Sequence, residues 1–456
     1  MVERSLGVRE TAGPIPATPM RLVKQNKAKE TGSTPVFLFI RNGVEWGRVK
    51  RSFMKFKHIY LGTVLAASLA GAAAAKETAA PTLTPAARSN AIAFKFFAKE
   101  GAAPGNVFFS PYSLHTAFAM AYEGAKGKTA KEIASVFSLP AKTADLRRGL
   151  AELGKDLSAA AEGAEFAQAN SFWAQDGYKF LPAYLDALRK EYSAEARNVN
   201  FKTGAEEARR SINSWTEERT KGKIKDLFKE GALTPLTRLV LVNAVYFKGK
   251  WQEPFKKEMT AEADFTRSDG QKVKAQLMGF PGTKDLEYGD VGDFQLLRLP
   301  YQGGLSMLVA LPKKDKSLAE AGKGLDAATL ERMRKALARQ KVKVFLPRFS
   351  FSSGFELNGT LGALGMPTAF TDAADFSGMD GTKKLAIQRA VHKAFVEVNE
   401  EGTEAAAATG IAMGLKSMPS FDFQVFRADR PFLFFIEEPK TGLLLFMGRV
   451  EEPKEK

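Results

Sequence analysis

The chain has 456 residues, with 45% hydrophobic residues and 35 Phe, enough for one large mixed domain plus a leader. It contains no cysteine, which excludes disulfides, thiolate nucleophiles and zinc–thiolate centres. Of its net charge of +16, half lies in residues 1–57, so the rest is only modestly basic and reads as a solvated surface rather than a nucleic-acid face.

Residues 1–53 are polar, basic and aperiodic apart from Val36–Ile40, and are read as a disordered extension or a mis-called start. Met54 opens a three-part secretory signal over 54–75. Lys55 and Lys57 make the positive end, Ile59–Ala75 is apolar, and Ala73-Ala74-Ala75 is an A-x-A cleavage site before Lys76. Translation is therefore expected to begin at Met54. Contact with a membrane is expected only through this signal during export, and the product is placed in the periplasm or outside the cell. Residues 76–86 read as a flexible lead-in to a single domain over 87–456.

Within that domain helical periodicity appears in Asn90–Lys99, in Ser113–Tyr122 after a Ser-Pro start, and in Ala130–Phe137, Leu181–Glu191 and Glu206–Arg219. Strand patterns appear in Thr237–Phe247, Phe294–Leu299, Ser306–Leu311, Lys341–Phe345 and Ala394–Val398. Phe432–Glu437 and Leu443–Val450 form a last pair across the turn Pro439–Gly442. Helices followed mostly by strands predict an α+β fold.

Between the last two groups lies GTEAAAATGIAMGLK, residues 402–416. Its alanines favour a helix, but at period two it has distinct faces. Thr403, Ala405, Ala407, Thr409, Ile411, Met413 and Leu415 fall on one side; Glu404, Ala406, Ala408, Gly410, Ala412 and Gly414 fall on the other. One face grows large and apolar, and the other carries one acid and then only tiny residues. That suits a strand able to slide between two others. It ends at Lys416, the only basic residue between Glu401 and Arg427, which reads as bait for a protease.

Several segments in order carry a family resemblance: Asn106-Val-Phe-Phe-Ser-Pro-Tyr-Ser113, Gly124-Ala-Lys-Gly-Lys-Thr129, Leu241-Val-Asn-Ala-Val-Tyr-Phe-Lys-Gly-Lys-Trp251, Ala374-Asp-Phe-Ser-Gly378, and His392 through Ala406. Leu364-Gly-Met366, Ala369-Phe370, Arg430-Pro-Phe-Leu-Phe-Phe and Phe446-Met-Gly448 match in turn. From about Arg88 to Pro453 the chain resembles a serpin. The resemblance implies helices packed on a large central sheet with smaller sheets, and an exposed reactive loop at about 400–426. It further implies a reactive bond Lys416–Ser417 and a loop hinge made of Glu400, Gly402, Thr403, Glu404 and Ala405, Ala406, Ala407 and Ala408. Ser110, Ser113, Asn243 and His392 would form a shutter where central strands part, and Trp251 would sit where the loop first enters.

The implied function is suicide inhibition of a trypsin-like serine protease, with a covalent acyl-enzyme and loop insertion, by a monomer that is not itself an enzyme and uses no cofactor or metal. Met413 and Leu415 are alternative baits for chymotrypsin-like enzymes. A non-inhibitory, binding or chaperone-like role and cross-class inhibition of cysteine proteases are the competing expectations.

Other motifs carry less. Gly127-Lys128-Thr129 ends like a phosphate loop, but Tyr122 stands where the motif needs glycine. No G-x-S-x-G exists, and past the leader only His115 and His392 could serve as a base. Asn358-Gly-Thr360 is a glycosylation sequon. Arg147, Arg148 and Lys155 suggest a weak polyanion contact, although the interspersed Glu152 and Asp156 favour a solvated helix face. The signal reading predicts that exported protein begins at Lys76; amino-terminal sequencing that finds residues 54–75 retained would contradict it.

Overall fold

The computed structural model describes residues 83–402 and 423–454. The chain opens with α1 (Pro85–Asn90), capped by the Thr84 hydroxyl, and α2 (Ala93–Glu100). The single helix expected over Asn90–Lys99 is thus broken at Ala91–Ile92. The lead-in is also shorter than expected, because Pro85 sits in the first turn of α1 and Ala86 is buried. After β1 (Val107–Phe109), the Ser110 hydroxyl caps α3 (Pro111–Gly124), whose residues are buried on nearly every side. α4 (Gly127–Phe137) and α5 (Thr143–Ala160) follow, then β2 (Ala164–Gln175), α6 (Pro182–Tyr192), β3 (Glu195–Val199) and α7 (Phe201–Arg219).

The second half is mostly strand: β4 (Leu239–Gly249), β5 (Lys256–Thr266), β6 (Lys272–Gly279), β7 (Lys284–Val291), β8 (Phe294–Pro300) and β9 (Ser306–Pro312). Two short helices, α8 (Leu318–Ala321) and α9 (Ala327–Lys335), precede β10 (Ala338–Pro347) and β11 (Phe349–Glu356). Then come α10 (Leu357–Ala363), α11 (Ser377–Asp380), β12 (Arg389–Val398), β13 (Gln424–Arg427), β14 (Phe432–Glu438) and β15 (Leu443–Val450). This is the expected α+β arrangement. Among the described residues the strands form two sheets, one of ten strands and one of five in the order β11-β12-β4-β2-β3.

Alternation in β4 divides the five-stranded sheet into two faces. Leu239, Leu241, Val245 and Phe247 enter the main core with α3, whereas Val240, Val242, Ala244 and Tyr246 pack with Ile212 and Trp215 of α7. Both faces are covered, so the strand reads as a continuous apolar run. By the same parity Asn170, Asn243 and His392 belong to the α3 face, and they are register partners across β2, β4 and β12.

In the ten-stranded system Glu437 is fully buried, and its carboxylate accepts from Arg298 Nη2 at 3.0 Å and Arg334 Nη2 at 2.6 Å. Truncation would remove the buried carboxylate between two largely buried guanidiniums, leaving Arg298 only Glu287 and Arg334 only Glu331 and the Gly442 carbonyl. Glu437→Ala should therefore lower stability by about 3–5 kcal/mol, read from urea unfolding midpoints; a loss under about 1 kcal/mol would show that the pair is dispensable.

Candidate functional site: a divided seam in the five-stranded sheet

β4 and β12 run parallel, and their pairing extends from Arg389↔Val240 to Phe395↔Tyr246. Both strands continue beyond that point, through Phe247–Gly249 and Val396–Val398, with no ladder between them among the described residues. The seam is closed below and open above.

Polar side chains hold the closed part. The Ser110 backbone N–H donates to His392 Nε2 at 3.1 Å, which leaves the ring proton on Nδ1 to face Asn243 Oδ1 at 2.5 Å. Asn243 Nδ2 in turn donates to Ser113 Oγ at 2.6 Å and Asn170 Oδ1 at 2.5 Å, and the Ser113 N–H donates to Ser110 Oγ at 3.0 Å. All five residues are buried. The structure thus brings Ser110, Ser113, Asn243 and His392 into one network and adds Asn170, which was missed from sequence. Asn170 is legible only once β2 is paired with β4, because its polar neighbours in AQANS hide the alternation.

The chain emerging from β12 turns back at once. Asn399 and Gly402 exchange backbone hydrogen bonds, with Asn399 N–H to Gly402 O at 2.8 Å, and Gly402 also forms an antiparallel bridge to Lys250. Glu401 O and Glu400 O accept from the backbone of Trp251 and Phe255 at 2.9 and 2.8 Å. Glu400 is buried, accepting from the Thr260 hydroxyl at 2.8 Å, with Arg348 Nε at 3.7 Å. Trp251 stacks on Tyr301 with centroids 4.4 Å apart and donates from Nε1 to Asn399 O at 2.9 Å. It is a core residue and a contact to the loop's start at once.

Gly402 has φ of +144°, and a Cβ there would lie 2.1 Å from Gly249 O, so only glycine fits. Thr403, Glu404, Ala405, Ala406, Ala407, Ala408, Lys416 and Ser417 lie outside the described residues, as do the segments 1–53 and 54–75.

Other sequence readings resolve as follows. Arg147 is held bidentately by buried Glu123 at 2.8 and 2.7 Å, and Arg148 pairs with Asp145 at 3.3 Å, which removes Arg147 from a polyanion face. Gly127 and Lys128 begin a helix and cradle nothing. The Asn358 amide donates to Gln388 O at 2.9 Å and accepts from Ala390 N–H, so it tethers the start of β12. Among the described residues no helix is long and apolar enough to cross a membrane, and no group of three His, Cys, Asp or Glu could hold a metal.

The profile of the family described as "Serpin (serine protease inhibitor)" matches residues 87–453. The chain belongs to the serpin family. A serpin-like protein of Thermococcus kodakarensis is 40% identical over 370 residues, covering 80% of this chain and 85% of that one. Leukocyte elastase inhibitor A of Rattus norvegicus is 40% identical over 365 residues, covering 78% and 95%. Human thyroxine-binding globulin superposes with a TM-score of 0.73 at 27% identity, covering 81% and 99%. The family description is one of protease inhibition, and in this serpin His392 is tied to Ser110 and Asn243.

Burial pushes the His392 imidazole down to about 3, from an ordinary value near 6.5. The folded state therefore refuses a proton that the unfolded chain accepts, and the group's contribution is complete above about pH 6.5 and lost as pH falls toward 3. Between about pH 6.5 and 5 this costs roughly 2 kcal/mol. His392→Gln should flatten that part of the stability–pH curve measured by urea unfolding; an unchanged slope would place the acid sensitivity elsewhere.

Proposed function

We propose that this serpin is a suicide inhibitor of trypsin-like serine proteases, cut after Lys416. The observation that carries the reading is Gly402, seated antiparallel between Lys250 at the end of β4 and Asn399 at the end of β12. It stands as the first rung of a strand lying between the two.

A chain that follows β12 and turns back can pair only antiparallel with both neighbours. Continued without a bulge, the two registers carry Thr403–Met413 down β4 and Thr403–Ala412 down β12. Counting from the rung, Thr409 arrives opposite Asn243 on one side and His392 on the other. Its hydroxyl can both donate and accept, so it can replace the His392–Asn243 bond without orphaning either group. The same count turns Thr403, Ala405, Ala407, Ile411 and Met413 to the α3 face, in keeping with the small and apolar side of the period-two pattern. It turns Glu404 the other way.

In the proposed reaction the protease serine attacks the Lys416 carbonyl, the Ser417 amine leaves, and Lys416 remains as an acyl ester. The freed loop then enters the seam. Fourteen residues from Thr403 to Lys416 span roughly 46 Å as a strand, enough to carry the tethered protease down the length of the sheet. Distortion there misaligns the oxyanion hole that deacylation needs. The name of the rat relative, leukocyte elastase inhibitor A, supports protease inhibition in general terms; Lys416 supports the basic-residue preference. The signal-like segment 54–75 supports action in the periplasm or outside the cell.

The likeness to thyroxine-binding globulin supports a second reading, a carrier built on the same fold. The two separate cleanly. Mixed with trypsin, the protein should give a complex that survives a denaturing gel, with a released fragment beginning at Ser417. Thr403→Arg, which aims a charge at the α3 face during insertion, should convert it into a cleaved substrate with no complex. Clean cleavage of the unaltered protein would defeat the inhibitory reading, and complex formation by the variant would defeat insertion of Thr403 toward the α3 face.

A further inference from the structure

A cleft of about 290 Å³ lies between α1, the start of α5 and the side of α3. Its wall is apolar, formed by Pro140, Leu146, Leu150 and Leu153, with Arg88 and His115 also lining it. Nothing in loop insertion uses it. His115 is only 2% exposed, yet neither ring nitrogen has a hydrogen-bond partner. A buried imidazole with both nitrogens orphaned sacrifices hydration on two sides. Arg88 spends one donor, Nη1, on Ser138 O at 2.9 Å.

We propose that this cleft binds a small apolar carboxylate, its hydrocarbon part against the α5 leucines and its carboxylate received by His115 and Arg88. The volume is at the small end of ligand sites, and the pattern of an apolar wall with few convergent polar groups is the usual one. Charge selects the headgroup. Asp145, Arg148 and Glu152 also line the cleft. Arg148 is paired with Asp145 at 3.3 Å, Glu152 is exposed to solvent, and Arg88 is the cation whose charge acts on buried His115 and favours an anion there. His115 keeps its ring neutral in the empty site, its proton affinity lowered to about 4 by burial and then by Arg88. A neutral ring still offers one N–H to a carboxylate oxygen. An anion there would offset the effect of Arg88 and raise the affinity of His115 for a second proton.

The test uses 1-naphthoate with the purified protein. Calorimetry should show one saturable site per chain, and neutral 1-naphthalenemethanol should bind at least about 10-fold more weakly, as expected for loss of charge-assisted hydrogen bonds. The His115 ring resonances should move on addition of naphthoate. His115→Phe should weaken naphthoate by about 10-fold while holding or raising the melting temperature, since it removes an orphaned polar ring without removing a partner. If that variant melts lower, Gly149→Leu decides. Gly149 lines the cleft, a Cβ there already meets Pro85 at 3.3 Å, and a leucine should fill the space and abolish binding. No saturable binding by the unaltered protein, equal affinity for the neutral alcohol, or binding undiminished in Gly149→Leu would overturn the proposal.

Discussion

Everything in this molecule turns on one seam, the parallel contact between β4 and β12. Parallel pairing is slightly less stable per residue than antiparallel pairing, and here it stops at Phe395↔Tyr246 while both strands run on. What closes it is not apolar packing alone. A row of polar groups on the α3 face, Asn170, Asn243 and His392, ties three strands to the first turn of α3 through Ser110 and Ser113. Such groups are costly to bury unpaired. Each can, however, exchange one partner for another of similar chemistry, as a row of methyl groups cannot. The proposed insertion asks this seam to make such an exchange.

The turn at Asn399–Gly402 supplies the other half of the device. It reverses the chain within four residues, anchors it through Glu400 and Trp251, and sets Gly402 between the two strand ends. Under the proposed insertion, this would fix the direction and register of the incoming strand. A one-residue slip would turn every side chain to the opposite face, so the close fit of Gly402 against Gly249 O matters for phase as much as for space.

Much of this was legible in the sequence, for local reasons. The runs around β4, β8, β9, β14 and β15 are apolar and bounded by turn residues, and the period-two pattern of residues 402–416 survives its helix-favouring alanines. What escaped notice depends on pairing across long separations. The family resemblance had grouped Asn243 with His392, 149 residues away, but Asn170 escaped, because only the register places it opposite Asn243. β5 is largely exposed and rich in lysine and glutamate, so it gave no strand signal. The break at Ala91–Ile92 is invisible to periodicity because both short helices bury one continuous stripe. Arg147 looked like surface charge until α5 was placed against Glu123.

The central claim is that the seam waits for a strand from its own chain. It is tested most directly by the thermal midpoint of the protein before and after a single cut within residues 403–422. A strand added between β4 and β12 replaces one parallel contact with two antiparallel ones and fills the open upper half, so the midpoint should rise by at least about 10 °C. A cut protein that melts at the same temperature as the intact one, or below it, would contradict insertion.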